Sequence, residues 1–343
     1  MRMDREIFRG RHYRAVHCHV SNDPLVVINF EFWWPTPSLE DPPTAGEFFT
    51  ARGINFVGVR GARNDWFQDD EILDVIGAVR TATDGGRRVG YGGSMGGFAV
   101  INFAHDLGLE SLVAVSPQFS IDRAKVPFET RWADEAAAIA FRHDRIDQVA
   151  PIRRGYVIYD PTTIDAEHVR LIRGRHPIAP IELRFAGHDP LRMLNQAGVA
   201  AELLIGLVTG PFDRPAFVRH LRAGRAGSGV AWLGAAETLS RRGDARAALR
   251  AILRAKSLPL PDRRRADLAH AMILRQHGRS AEALTLLRAH PDATLSEEVR
   301  QWQTDQLYAR VVALEADMAA MRDSLSWRWT APLRALNRLR RRT

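Results

Sequence analysis

Two kinds of hydrophobic pattern run along the chain, and one gives way to the other near residue 225. Before that point, short apolar runs rich in Val and Ile alternate with stretches of helical spacing. The runs are YRAVHCHV (13–20), LVVINF (25–30), INFVGVR (54–60), RRVGYG (87–92), SLVAVS (111–116), GYVIYD (155–160) and IELRFA (181–186). Gly, Pro, Asn or Asp bound most of them, and near-continuous apolarity is what a strand buried on both faces requires. Helical spacing fills about 69–81, 95–107, 130–148 and 164–174. Alternation of this kind predicts an α/β domain over residues 1–222, with a mostly parallel sheet flanked by helices.

Beyond residue 225 the chain is Ala-, Leu- and Arg-rich with helical spacing almost throughout. Gly243 and Gly278 are 35 residues apart, close to the tetratricopeptide period of about 34. Trp232, Gly243, Ala248 and Ala255 stand where that repeat places its Trp, its turn glycine and its small packing residues. A second copy keeps Gly278 and Ala283 but has Asp267 in place of the Trp. Residues 226–300 therefore resemble tetratricopeptide helices. Over 301–326, Leu307, Val311, Leu314, Met318, Met321 and Leu325 form an a/d seam, either one amphipathic helix or a short coiled coil. Residues 327–343 form a basic tail bearing two tryptophans and no acid. Such a tail either lies on an anionic membrane surface or is a disordered, charged end.

The formal charge is +8 and the isoelectric point about 10.4, yet Lys125 and Lys256 are the only lysines. An arginine excess dispersed over Ala-rich helices is a compositional bias, and the aromatics are not interleaved with it, so nucleic acid is not an expected partner. Cys18 is the sole cysteine, which excludes a disulfide framework and a cysteine-rich zinc site. The N-terminal MRMDREIFRG lacks the apolar core of a signal peptide, and no apolar run approaches ~20 residues. A cytoplasmic setting is expected, with peripheral attachment to the inner membrane if the tail binds lipid. His17 and His19 share a strand face without a third ligand, so no metal and no cofactor is expected.

The densest chemistry lies in YGGSMGGFAV (91–100). Gly92-Gly93-Ser94-Met95-Gly96 matches G-x-S-x-G, follows a strand run and opens a helical one. In a nucleophile elbow the serine sits at strained backbone angles, and residues two before and two after must lack side chains so that strand and helix can approach. The turn puts the Met95 amide at a helix N-terminus, able to donate to an oxyanion. A phosphate-binding loop is the rival, but no Lys follows and no acid appears at the expected distance.

A serine hydroxyl needs a base, and the base needs an orienting acid. His188 follows the late run IELRFA through Ala186-Gly187. Asp160 ends GYVIYD and is the favoured acid. Asp165, one turn further on, is the alternative, or else a cap for the helix carrying His168. After the strand at 25–30, the amide of Glu31 or Phe32 is the candidate second oxyanion donor. Trp33 and Trp34 there would wall an acyl or sugar pocket or form a buried aromatic cluster. Asn64 and Asp65 would contact substrate or make a turn. The segment 118–153 occupies the usual place of a lid.

Through Gly92-Gly93-Ser94-Met95-Gly96, Asp160 and His188, the span 12–210 resembles the α/β-hydrolase superfamily. That resemblance implies an eight-stranded type of sheet and a serine hydrolase triad, although no HGGG-type oxyanion motif is present. Separately, SLSWRWTAPLR (324–334) looks like the tail of bacterial cell-surface polysaccharide enzymes. The expected activity is that of a serine esterase or deacylase acting on an acyl ester, with a cell-surface glycan or its precursor as substrate. The alternatives are an acyltransferase using the same triad and a non-catalytic scaffold recruiting protein partners through its helical repeats.

Overall fold

A computed structural model describes residues 2–152 and 154–290. The heptad segment, the basic tail and the end of the second repeat lie outside the described residues. Eight strands form one sheet in the order β1-β2-β4-β3-β5-β6-β7-β8. They span Met3–Arg9 (β1), Tyr13–His19 (β2), Leu25–Phe30 (β3), Asn55–Gly61 (β4), Arg87–Gly93 (β5), Ser111–Val115 (β6), Tyr156–Tyr159 (β7) and Ala179–Glu182 (β8). The β1–β2 and β2–β4 pairs are antiparallel and the rest parallel.

β3 and β4 are buried at every position, as their unbroken apolar runs require. One face of the sheet packs on α2 (Ile72–Ala82), α3 (Met95–Asn102) and α5 (Asp165–Arg175) through Val75, Val79, Phe98, Ile101, Val169 and Ile172. The other packs on α1 (Gly46–Thr50), α6 (Pro190–Gln196) and α7 (Ala200–Thr209) through Phe49, Met193, Leu194, Leu203 and Leu207. Each such side chain contributes about 1.5–3 kcal/mol by leaving water. The 72–82 and 165–175 helices lie close to their expected places. Among the described residues no single helix is long and apolar enough to cross a membrane.

Four elements depart from the sequence reading. β1, MDREIFR, carries charge at four of its seven positions, because it is an exposed antiparallel edge whose charges discourage further pairing. The final strand ends at Glu182, not at residue 186, since Phe185 takes a left-handed φ of 69°. The helix expected over 130–148 shrinks to α4 (Ala133–Ala138), whose C-cap Ile139 is already extended. The one expected over 95–107 stops at Asn102.

An all-α region follows: α8 (Arg214–Arg225), α9 (Gly229–Arg241), α10 (Ala245–Lys256), α11 (Arg263–Gln276) and α12 (Ser280–Arg288). The chain divides at Ile273/Leu274 into two compact units. Within the first, α9 begins on the sheet domain, with Ala231 in the same core as Met193 and Phe217. A Cβ on Gly234 would stand 2.3 Å from the carbonyl oxygen of Phe185. Only a glycine lets α9 lie directly against the turn that leads to His188.

Candidate active site

β5 delivers Ser94 into a sharp turn. Its φ of 52° and ψ of −117° lie in a region that non-glycine residues rarely occupy. The turn is tight enough that a Cβ on Gly92 would meet the Gly96 carbonyl oxygen at 2.3 Å, and one on Gly96 the Phe30 carbonyl oxygen at 2.1 Å. The glycines two before and two after the serine are thus sterically required. Met95 opens α3, so its amide is among the first-turn N–H groups that have no acceptor within the helix.

Ser94 Oγ lies 3.0 Å from His188 Nε2, and His188 Nδ1 lies 2.8 Å from Asp165 Oδ2. A carboxylate can only accept, so Nδ1 carries the proton and Nε2 is left as the acceptor for the serine hydroxyl. Arg131 Nη1, 3.3 Å from Nδ1, cannot hydrogen-bond to it in that tautomer. Its role is as a counter-charge 2.8 Å from Asp165 Oδ1, in an ion pair that falls outside aligned hydrogen-bond geometry. Burial opposes charge on the fully enclosed Asp165. The hydrogen bond and charge of His188, with the charge of Arg131, outweigh it and hold the carboxyl below its ordinary range.

The preference between the two acids is therefore reversed. Asp160 is buried at the end of β7, but its oxygens are taken up locally. Oδ1 accepts from the Thr162 amide and hydroxyl, and Oδ2 accepts from the Gly187 amide at 2.8 Å. It secures the turn before His188 without touching the imidazole. Asp165, the first residue of α5, is the carboxylate that bonds the imidazole.

Of the two amides considered as second oxyanion donors, Glu31 is excluded: its N–H donates to the Val59 carbonyl at 3.0 Å, and its carboxylate pairs with Arg60 at 2.7 Å. The Phe32 amide makes only a long, local contact of 3.3 Å with Glu31 Oε1, which leaves it the better placed. Phe32, Trp33, Val115, Trp132 and Leu191 wall a cavity of about 230 Å³ onto which Ser94 and His188 open. Trp34 is not in that wall. Its ring is exposed and packs at a tilt against Phe32, with ring centroids 4.7 Å apart. Asn64 and Asp65 lie outside the wall too. Asn64 is bonded both ways to the Trp34 backbone. Asp65 accepts from the Tyr13 hydroxyl and the Phe67 amide, fixing a turn in which Trp66 and Phe67 have φ of 50° and 58°. For Asp65 the turn reading is the one the contacts support. His17 and His19 share one face of β2, with ring centroids 6.0 Å apart.

Four residues here carry no sequence signal. Trp132 and Arg131 come from the segment over the site. Arg131 also binds Glu129, which burial disfavours but which the His168 hydrogen bond and the Arg131 charge hold down to about 2. Gln118, just past β6, is fully buried and its Nε2 donates to Ser94 Oγ at 2.9 Å. The Trp66 indole N–H faces Gln118 Oε1 at 3.4 Å, which fixes the amide with its nitrogen toward the serine. Gln118→Ala should lower kcat/KM for p-nitrophenyl acetate about tenfold, the weight of one neutral hydrogen bond, and should also lower the thermal midpoint, since the buried Trp66 N–H loses its acceptor. An unchanged kcat/KM would show the contact to be incidental.

No protein-family model matches the chain, and no curated protein does. Several solved structures are similar to it in fold. The capsule O-acetyltransferase of Neisseria meningitidis serogroup A is 11% identical, matching 59% of this chain and 93% of its own with a TM-score of 0.44. Alpha/beta hydrolase domain-containing protein 10 from mouse is 12% identical over 62% of this chain and 99% of its own, at 0.42. FphF, a fluorophosphonate-binding serine hydrolase of Staphylococcus aureus, is 13% identical over 61% and 98%, at 0.39. What decides the architecture is the chain's own topology, with antiparallel β2 between β1 and β4 and with serine, acid and histidine following β5, β7 and β8. This is an α/β-hydrolase fold. In this α/β-hydrolase fold the serine-hydrolase-like arrangement is Ser94-His188-Asp165.

Proposed function

We propose that this protein is a serine acyl-transfer enzyme that moves a short acyl group from an ester to a hydroxyl. The observation that carries this reading is the continuous relay from Asp165 through His188 to Ser94 Oγ, at 2.8 and 3.0 Å, on a strained elbow. Ser94 attacks the ester carbonyl as His188 Nε2 takes its proton. The Met95 and Phe32 amides would receive the developing oxyanion. Protonated His188 then gives its proton to the leaving alcohol, and acyl-Ser94 remains. In the second half an acceptor hydroxyl loses its proton to His188, attacks the acyl carbon and regenerates the serine.

A cavity of about 230 Å³ fits a short acyl chain and not a long fatty one. Its walls are mostly aromatic and aliphatic, with Asp189 the charged exception, and this supports transfer to an alcohol over hydrolysis as the principal fate. Esterase activity is the expected background reaction. Incubation with p-nitrophenyl acetate should add one acetyl mass to the peptide containing Ser94, and added alcohols should shorten the lifetime of that adduct. Absence of the adduct during turnover would overturn the proposal.

We further read the helices on either side of Gly243 and Gly278 as tetratricopeptide-like repeats that would carry protein contacts. With the polysaccharide-enzyme resemblance of the tail, they support work near glycan assembly at the cytoplasmic side of a bacterial inner membrane.

A further inference from the structure

A second acid–histidine pair lies behind the first. His168, three residues after Asp165 on α5, is fully buried, and its Nδ1 accepts from the Phe119 amide at 3.1 Å. A ring nitrogen that accepts carries no proton. The proton is therefore on Nε2, which donates to Glu129 Oε2 at 2.8 Å and leaves the ring neutral. Glu129 is buried as well. Its carboxylate accepts from the Arg131 guanidinium at 2.6 Å and from the Arg131 amide at 2.8 Å. The same guanidinium stands 2.8 Å from Asp165, and Phe119 adjoins Gln118, the donor to Ser94. Polar contacts thus run from the serine through the base and both acids, and return to it through residues 118 and 119.

Arg131 by itself works against the base. Its charge cancels that of Asp165, and an imidazolium formed beside a neutral pair gains little from it. Glu129 changes the count. Two carboxylates and one guanidinium leave the cluster with one net negative charge while Ser94 keeps its proton, and the cluster becomes neutral when His188 takes that proton. In a poorly solvated site, charge balance reached at the transition state favours that state over the ground state. The other charged groups about His188 are Asp160, held behind the Gly187 amide, and Asp189, Arg192, Asp262 and Arg265 on the cavities that His188 lines. The last four are exposed, with Arg192 paired to Asp189 at 2.6 Å and Arg265 to Glu237 at 2.8 Å, so solvent screens them.

We infer that Glu129 is a positioning residue for the general base: it holds Arg131 against Asp165 and restores the negative charge that Arg131 removes, so that proton transfer to His188 ends in a neutral enclosure. The inference rests on the acyl-transfer reading above. Glu129 is absent from the wall of the acyl cavity and acts only through Arg131. His168 fixes the Glu129 carboxylate from the other side without adding charge.

The test is the pH profile of kcat/KM for acetylation of the full-length protein by p-nitrophenyl acetate, whose acid limb marks protonation of the base. Glu129→Gln keeps the shape of the side chain and can still accept from His168. It should move the limb to lower pH by about half a unit or more and lower the plateau several-fold. Arg131→Gln should move the limb to higher pH by a similar amount. Glu129→Gln/Arg131→Gln has the wild-type charge count and should bring the limb back to its wild-type place. Circular dichroism checks the fold of each. Should Glu129→Gln fail to fold, the upward shift in Arg131→Gln and its reversal in the double variant, which buries no unpaired guanidinium, carry the test. A limb that stays put in the single variants, shifts the same way in both, or is not restored in the double would overturn the assignment of Glu129 alone. A wild type that never acetylates Ser94 would instead overturn the underlying reading.

Discussion

Ser94→Ala is expected to abolish turnover, lowering kcat for p-nitrophenyl acetate by about 10⁶-fold toward the solvent background, as loss of a triad serine does elsewhere. It should also eliminate labelling by a fluorophosphonate probe. The two readouts test different things. Turnover depends on the whole relay, whereas labelling requires only that Oγ be the activated nucleophile. Alanine is smaller than serine and removes a hydroxyl that hydrogen-bonds to Gln118 and His188, so the fold should survive. Circular dichroism and the thermal midpoint check that it does. Retained labelling in Ser94→Ala would move the nucleophile to another residue and end the assignment.

The second large effect separates the two aspartates. Asp165→Asn should cost about 10⁴-fold in kcat, because an amide in place of the carboxylate no longer enforces the Nδ1–H tautomer and loses the charge that stabilises the imidazolium. Asp160→Asn should stay within about tenfold, since its carbonyl can still accept from Gly187 or Thr162 and it never reaches the imidazole. A pH series sharpens the test. The folded-state pKa of Asp165 is depressed, so the pair's contribution to stability is fully present above the ordinary carboxylate value of 3.8 and is lost as pH falls through the lowered one. The difference in urea midpoint between the wild type and Asp165→Asn should be constant near neutrality and shrink only in that acidic window. A large loss for Asp160→Asn with little for Asp165→Asn would restore the first assignment.

How far the site could be read in advance follows from where its constraints lie. The elbow is legible because its constraint is local: two glycines at fixed offsets from Ser94 answer a clash with the Gly96 and Phe30 carbonyls. His188 is legible because it follows a late strand through a small-residue turn. The acid is ambiguous because a strand end and the first turn of the next helix both offer a carboxylate. What separates them is the Gly187 amide that occupies Asp160, a contact across 27 residues with no local signature. Gln118, Arg131 and Trp132 are invisible for the same reason. β1 is invisible for the opposite one, since an edge strand rich in charge suppresses the periodicity that announces a strand. Glu31 looked available as an amide donor until the sheet claimed its N–H.

The meeting of Gly234 with the Phe185 carbonyl ties the appended helices to the chemistry. A chain cut at residue 225 would uncover the backbone that presents the imidazole, and a branched residue at 234 would push on it from outside. α9 is thus part of the support of the base, and its removal would have to be compensated by some other cover for that turn.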